Sequence, residues 1–479
     1  MASNETLYNV PFFLNGKECG TGSTFEIKSP ATGKVLHTCS NASSEDVTKA
    51  IESAATALKT WRKMTPGRRR DIFLKAGEIM ERRRDELAQT MAEETGASLM
   101  WAGFNINVAI DFFKDVAGRV SAIEGSLPAT ADEGVGAMIL KEPYGVVLAI
   151  APWNAPYILS TRAVLFPLAA GNTVILKASE MSPKTMWGVA SCLHEAGLPD
   201  GVLNTLVHEP ANAAAITAQI VGDPNIKMIN FTGSTHVGRI IGKLAAENIK
   251  PILLELGGKA PAIVWEDADL ELAAGSCALG AFLNAGQICM STERILVHKN
   301  VREQFEKLLV TEIEKIFPPS GDAPILIVPA AVEKNKALVQ DAIAKGAGLV
   351  TGDPNFVGST ATRLRPIVLN GVTAEMDIYK TESFGPTVSI IEVTTEEEAI
   401  RIANDTEYGL SAAVFTENLR VGLRLAKEIE TGAVHINSMT VHDESTLPHG
   451  GAKSSGFGRF NTSSGIDSFL RTKNITFKY

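Results

Sequence analysis

Apolar and polar positions alternate along the chain in three stretches of different character. Between Gly145 and Val264, short apolar runs at Gly145–Ile150, Thr173–Lys177, Val202–Val207, Ile226–Asn230 and Ile252–Leu256 predict strands. The stretches between them, Tyr157–Ala169, Pro183–Ala196, Asn212–Val221 and Thr235–Glu247, predict helices. Strands with little polar alternation, separated by helices, predict a parallel sheet covered on both faces. Ligands of such doubly wound α/β domains sit at the carboxyl ends of the strands.

After Glu255 the pattern restarts. Ala262–Val264, Arg294–His298, Pro366–Leu369, Val388–Glu392, Ala412–Phe415 and Gly432–Ile436 predict strands, and Val301–Ile316 and Glu396–Asn404 predict helices, so a second α/β domain follows. Ahead of both, Ser43–Trp61 opens with a capping-box pattern, Ser43-x-x-Asp46, and places Val47, Ile51, Ala54 and Leu58 on one face. Pro66–Glu94 predicts a second, Arg-rich helix, with Pro66 suited to its first turn and Gly96 to its end. The tail, Thr472–Tyr479, alternates like a strand and needs a sheet to join, within the chain or in another subunit.

Composition narrows the class. The chain has 479 residues, 45% hydrophobic and 21% charged, which excludes disorder for most of its length. The most apolar stretch, Gly145–Gly171, is cut by Asn154, Arg162 and three prolines, so it lacks the ~20 apolar residues of a membrane span. The net charge of −9 disfavours nucleic acid as a partner. Five cysteines with no CxxC pair point to a reducing compartment. The polar start, Met1–Asn9, carries no secretory signal, and the C-terminal Phe-Lys-Tyr is no lipidation or peroxisomal address, so a cytoplasmic location is expected. The eight histidines are scattered without metal-ligand spacing, and no metal is expected.

Five segments could carry chemistry. Phe231-Thr-Gly233-Ser234-Thr235 follows a predicted strand and opens a helix, where backbone N–H groups can meet a pyrophosphate; a tight strand-to-helix connection would use the same glycine. Lys177 and Glu180 follow the Thr173 strand, where a ribose would lie, and the Glu180 carboxylate repels a 2′-phosphate, favouring NAD over NADP. Cys289 stands behind Gly286, which would clear space in front of a nucleophilic thiolate. Glu255 ends a wholly apolar strand, where burial would raise its pKa toward that of a useful general base. Asn154, in Pro152-Trp153-Asn154, could donate to a developing oxyanion, and Glu382-Ser-Phe384-Gly-Pro could supply a second ribose carboxylate and an aromatic wall.

Taken in order, Pro152-Trp-Asn154, Lys177-Ala-Ser-Glu180, Phe231-Thr-Gly-Ser-Thr235, Glu255-Leu-Gly-Gly258, Gly286-Gln-x-Cys289, Glu382-x-Phe384-Gly-Pro386 and Pro448-x-Gly450-Gly451 resemble the NAD(P)-dependent aldehyde dehydrogenase superfamily, over roughly Phe12–Lys478. The resemblance implies Cys289 as nucleophile, Glu255 as general base and Asn154, with the Cys289 N–H, as oxyanion donor. It implies that Trp153, Lys177, Glu180, Gly233, Ser234, Glu382 and Phe384 bind NAD. It also implies a discontinuous cofactor domain (1–122 and 144–254), a catalytic domain (255–455) and a β oligomerisation element (123–143 and 456–479) in a homodimer or homotetramer.

Ala151-Pro-Trp-Asn-Ala155-Pro, Gln287-Ile-Cys-Met-Ser-Thr-Glu293-Arg and Asn437-Ser-Met-Thr-Val-His442-Asp-Glu444 are similar to the salicylaldehyde, vanillin and benzaldehyde dehydrogenase branch, which implies a small aromatic aldehyde as substrate. Ala155 leaves room for a flat ring. Arg162, about two helical turns past Asn154, would face the same way and pair with a ring hydroxyl; a helix-surface salt bridge is the plainer reading. His442 joins them as a substrate-side candidate. Two features depart from the family pattern: a short Pro318–Leu326 loop, expected to lie outside the chemical machinery, and His449 where Phe is common. An aliphatic or semialdehyde dehydrogenase, a coenzyme A-acylating member and an idle NAD-binding scaffold are the alternatives. A cysteine hydrolase would need a histidine near Cys289, and the sequence places none there.

Overall fold

A computed structural model describes residues 7–479; of the polar N-terminal stretch, residues 1–6 lie outside them. Two sheets, each parallel but for one edge strand, organise the chain. The first runs, edge to edge, Gly456–Phe457, Ile252–Glu255, Ile226–Thr232, Val146–Ile150, Thr173–Lys177 and Leu203–Leu206. All neighbours are parallel except Gly456–Phe457, which joins Ile252–Glu255 antiparallel. The chain leaves Val146–Ile150 toward one edge, returns, and continues toward the other from Ile226–Thr232. The switch point therefore lies between these two central strands, where a crevice opens at their carboxyl ends.

The second sheet has seven strands in the order Gly348–Thr351, Ile367–Asn370, Thr387–Val393, Thr292–His298, Ala260–Val264, Ser411–Phe415 and Ala433–Ile436. Apolar side chains cover both faces of each sheet. Val147, Leu176 and Phe166 lie on one side of the first sheet, Leu148, Ile175 and Ile229 on the other. Ile263 and Leu296 face one core of the second sheet, Val264 and Ile295 the other. These are the period-2 faces of strands buried on both sides.

The predicted elements fall within a residue or two of those observed, with instructive exceptions. Ser43 forms the capping box with Asp46: the Asp46 N–H reaches Ser43 Oγ at 3.2 Å, and the Ser43 N–H reaches the Asp46 carboxylate at 2.9 Å. The single helix expected over Pro66–Glu94 is two, Pro66–Arg82 and Arg84–Thr95, parted at Arg83. The bend lets Phe73, Met80, Leu87 and Met91 all reach one core, while Arg83 lies over the Trp187 ring. Leu99–Arg119 is a further helix that periodicity misses, because its buried residues leave too little polar surface for a clear face.

The tail strand, Leu470–Lys478, finds its partner within the chain. It pairs antiparallel with Val135–Pro143 along its whole length, as a two-stranded ribbon with largely exposed side chains. Gly456–Phe457, expected with that terminal element, instead extends the edge of the first sheet. All five cysteines are free. Among the described residues no helix is long and apolar enough to cross a membrane, and no group of His, Cys, Asp and Glu could hold a metal ion.

Two stability predictions follow from this packing. Ser43→Ala removes the cap and costs about 1 kcal/mol locally, visible as faster amide hydrogen exchange in the first turn of Ser44–Trp61. Glu94 is buried and accepts from the Lys184 and Thr185 N–H groups, at 2.9 and 2.8 Å, and contacts His37 Nε2 at 2.8 Å. Glu94→Ala strands these donors at a cost of at least about 3 kcal/mol, read as a lower thermal unfolding temperature.

Candidate active site

The first sheet delivers its loops into the crevice. Strand Val146–Ile150 is followed by Pro152-Trp153-Asn154, and strand Ile226–Thr232 by Gly233 and Ser234. Ser234 caps the helix Thr235–Glu247, its Oγ accepting from the Val237 N–H at 3.4 Å. A cavity of about 270 Å³ is lined by Trp153, Gly233, Ser234, Glu382 and Phe384, and also by Asn154, Glu255 and Cys289. The Trp153 and Phe384 rings meet edge to face, 5.9 Å between centroids. Lys177 and Glu180 stand apart from this cavity; Lys177 is buried at its strand end, which lowers its ammonium pKa, and Glu180 lines a separate cleft with Pro210 and Pro329.

These groups suit a dinucleotide. The start of the helix Thr235–Glu247 offers N–H groups to a pyrophosphate. Glu382 offers a buried carboxylate whose Oε1 accepts from the Gly258 N–H at 2.9 Å, leaving lone pairs for ribose hydroxyls. A Cβ on Gly257 would lie 2.6 Å from Glu382 Oε2, so only glycine admits the carboxylate there. Burial, then the neighbouring Glu293, push Glu382 up to about 7. Glu293 fixes the loop that carries it, accepting from the Ser383 N–H at 2.9 Å and pairing with buried Lys259.

Cys289 sits in the turn just before strand Thr292–His298. The segment ahead is wound through three left-handed residues, Asn284, Ala285 and Gly286, with φ of 49°, 57° and 72°. Gly286 clears space as the sequence suggests, but for the Gly385 carbonyl, which a Cβ would approach to 2.2 Å, and not for the thiol. Asn154 is tied to the same segment: its Nδ2 donates to the Gln287 carbonyl at 3.0 Å, and its carbonyl accepts from Trp101 Nε1 at 3.1 Å. One amide N–H of Asn154 is thereby used, and an amide has two. The Gln287 side chain bonds the Ile325 carbonyl and the Ile327 N–H, at 3.1 and 2.9 Å. The short Pro318–Leu326 loop, expected outside the machinery, therefore braces the segment that carries Cys289.

Around Glu255 the structure corrects the sequence most. Burial pushes its carboxyl up, as expected, but Arg162 and His449 outweigh burial and hold it down to about 2. Arg162 is fully buried, not a surface salt-bridge partner, and joins Glu255 to Asp443, whose Oδ2 its Nη1 meets at 2.7 Å. Its guanidinium also lies 4.8 Å from the Phe460 ring centroid. His449 Nε2 lies 3.0 Å from Glu255 Oε1. Burial and the Glu255 charge raise the Cys289 thiol well above its ordinary value, so the resting thiol is protonated.

A second cavity, of about 230 Å³, meets the first at Asn154, Leu159, Glu255 and Cys289. Trp101, Phe104, Ile158, Met290 and Met439 give it apolar walls, Ala155 leaves it open, and Arg162, Asp443 and His449 form its polar part. His442 does not line it. Val441 and Asp443 face the cavity, and the residue between them is turned out against His435 and Glu444. Asp443, Glu293 and Lys259 are site residues that sequence reasoning missed, and His449, noted there only as a departure from the family pattern, joins them; for Glu293 and Lys259 the available signal was charge inside or beside an apolar strand.

The aldehyde dehydrogenase family profile matches residues 18–475. A vanillin dehydrogenase of Pseudomonas fluorescens is 43% identical over 477 residues, 98% of each chain. A salicylaldehyde dehydrogenase of Pseudomonas sp. (strain C18) is 40% identical over 460 residues, 95% of this chain and 94% of that one. The crystal structure of a salicylaldehyde dehydrogenase from Pseudomonas putida G7, complexed with salicylaldehyde, matches at a TM-score of 0.94 and 38% identity, covering 98% of both chains. This chain belongs to the aldehyde dehydrogenase family.

Proposed function

We propose that the chain oxidises small aromatic aldehydes, of the salicylaldehyde, vanillin and benzaldehyde type, to their carboxylic acids with NAD. The observation that carries this reading is the junction of two cavities at Cys289. One is lined by aromatic and apolar side chains, and the other by Glu382, Phe384 and the Gly233–Ser234 turn. The names of the relatives point to the same substrate class.

Cys289 Sγ attacks the aldehyde carbon, losing its proton as the C–S bond forms. Asn154 Nδ2 and the Cys289 N–H stabilise the oxyanion of the thiohemiacetal. Ser234 and the helix it caps would hold the cofactor pyrophosphate, Lys177 and Glu180 the adenosine ribose, and Glu382 the second ribose; Trp153, Gly233 and Phe384 would shape the cleft around the ring. A nicotinamide cofactor held there would supply the acceptor for the hydride that leaves the thiohemiacetal carbon, the carbon that becomes the thioester carbonyl on Cys289. Glu255 takes a proton from the water that hydrolyses it. Ala155 and the apolar walls seat the aromatic ring, and Arg162 polarises a ring hydroxyl. We also propose a homodimer or homotetramer, to which the exposed ribbon of Val135–Pro143 with Leu470–Lys478 is suited as a subunit contact.

NADH formation with salicylaldehyde, vanillin, benzaldehyde and a short aliphatic aldehyde tests the assignment. Aromatic substrates are expected to be preferred, and Cys289→Ala to lower kcat by on the order of a thousandfold or more. Preference for the aliphatic aldehyde removes the aromatic reading and leaves the mechanism. Glu180→Gln should raise kcat/KM for NADP about tenfold by removing a repulsive charge, measured against NAD in the same assay. Arg162→Ala should lower kcat/KM on salicylaldehyde at least about tenfold more than on benzaldehyde; equal losses on both would leave Arg162 no part in reading the hydroxyl.

A further inference from the structure

Glu255 has no free oxygen in the resting site. Arg162 Nη2 and, at 3.4 Å, Thr232 Oγ1 engage Oε2, and His449 Nε2 engages Oε1 at 3.0 Å. A carboxylate clamped in this way is a weak base, and it can accept a proton from water only as one partner loosens. Arg162 is a permanent clamp: its guanidinium does not deprotonate, and Asp443 and the Phe460 ring hold it from two other sides. His449 is the other partner, and an imidazole can be neutral or an imidazolium. Its backbone is pinned to Phe460 by reciprocal hydrogen bonds of 3.0 and 2.8 Å, so the ring is presented to Glu255 from a fixed support. Its other nitrogen, Nδ1, faces Asp443 Oδ1 at 3.7 Å. Asp443 is itself fixed by Asn461 Nδ2 at 2.9 Å.

We propose that His449 is a positioning residue for thioester hydrolysis: as an imidazolium it locks the Glu255 carboxylate, and as a neutral imidazole it releases it to act as base. The inference rests on the assignment of Glu255 as the hydrolytic base. In the step concerned, water oxygen bonds to the acyl carbon, one water proton passes to Glu255, and the electron pair of the breaking C–S bond returns to Cys289 Sγ. The sign follows from charge. Below the imidazole's titration a second cation faces Glu255 beside Arg162, and hydrolysis slows; above it, one cation remains.

The other charged groups around the pair do not give this dependence. Glu255 itself is held at about 2 and stays ionised. Burial, His442 and His449 hold His435 down to about 4, below the relevant range. Cys289 is raised, and its protonation bears on attack and not on hydrolysis. Arg162 and Asp443 form a closed pair, and Glu444 faces His442. Glu382, at about 7, is the competing source of a neutral-range dependence, but it lines the cofactor cavity and not the one that holds His449.

The test follows decay of the acylated enzyme after one turnover with benzaldehyde and NAD, by acid quench and intact-mass spectrometry, from about pH 5.5 to 8.5. In the unaltered enzyme the decay rate should fall about tenfold per pH unit below the imidazole's titration. His449→Gln keeps a hydrogen-bond donor without a titrating charge, and His449→Phe removes the donor; both should flatten the profile. Variants that keep the slope overturn the proposal and assign the dependence elsewhere, with Glu382 first. A flat profile in the unaltered enzyme also overturns it. If no acyl-enzyme forms at all, the functional reading itself falls; acyl-enzyme that forms and decays with an unchanged slope in both variants removes only the role of His449. Circular dichroism of each variant confirms that the site is being read in folded protein.

Discussion

The buried carboxylate of Glu255 ties together parts of the chain that would otherwise meet only by packing. It ends a strand of the first sheet; Arg162 comes from the helix after Val146–Ile150, two strands away; Asp443 and His449 come from the segment that follows Ala433–Ile436, the last strand of the second sheet. Placing these charges in the interior is expensive unless each is paired and hydrogen-bonded. The network meets that condition, with both Glu255 oxygens engaged, Arg162 held by two carboxylates and Asp443 fixed by Asn461. Removing one member strands a charge on another, so geometry here is specified by electrostatics as strictly as by shape.

The nucleophile segment obeys a different constraint, close backbone approach. Left-handed residues at Asn284 and Ala285 cost energy that a regular turn would not, and they persist because the surroundings fix them. Gln287 is anchored on the Pro318–Leu326 side through Ile325 and Ile327, and on the loop after strand Val146–Ile150 of the first sheet through Asn154. The candidate oxyanion donor and the thiol are therefore mounted on one continuous hydrogen-bonded chain running between the two sheets. A displacement of either sheet would be transmitted to both groups together, which preserves their relation to each other.

Much of this was legible in the sequence, for identifiable reasons. Strands buried on both faces read as unbroken apolar runs, and Ser43-x-x-Asp46 carries its cap in the local pattern, so the sheets and the first helix follow from sequence alone. Cys289, Glu255 and Asn154 stand in short motifs beside strand ends, and the structure brings all three to one cavity junction. What could not be read was long-range pairing. Arg162 and Asp443 are 281 positions apart, and His449 and Glu255 194, so nothing local marks them as partners. The direction of the Glu255 shift was misjudged for the same reason: burial could be inferred from one strand, but the cations opposing it come from elsewhere. His442 failed at finer scale, since its neighbours Val441 and Asp443 face inward and an extended segment turns alternate residues apart.

The same network that holds Glu255 also sets the state of the thiol. Burial raises Cys289 most, the Glu255 charge raises it further, and Arg162 lowers it, while Arg162 and His449 lower Glu255 against its burial. The charge on Glu255 therefore bears on the thiol. Nucleophilic attack is favoured by more positive charge nearby, because that favours the thiolate. Hydrolysis is favoured by less, because that makes Glu255 the stronger base. A fixed array of charges cannot serve both steps best. Arg162 supplies the part of the field that is constant, and the His449 ring, between the Glu255 and Asp443 carboxylates, is the other partner on which that field depends.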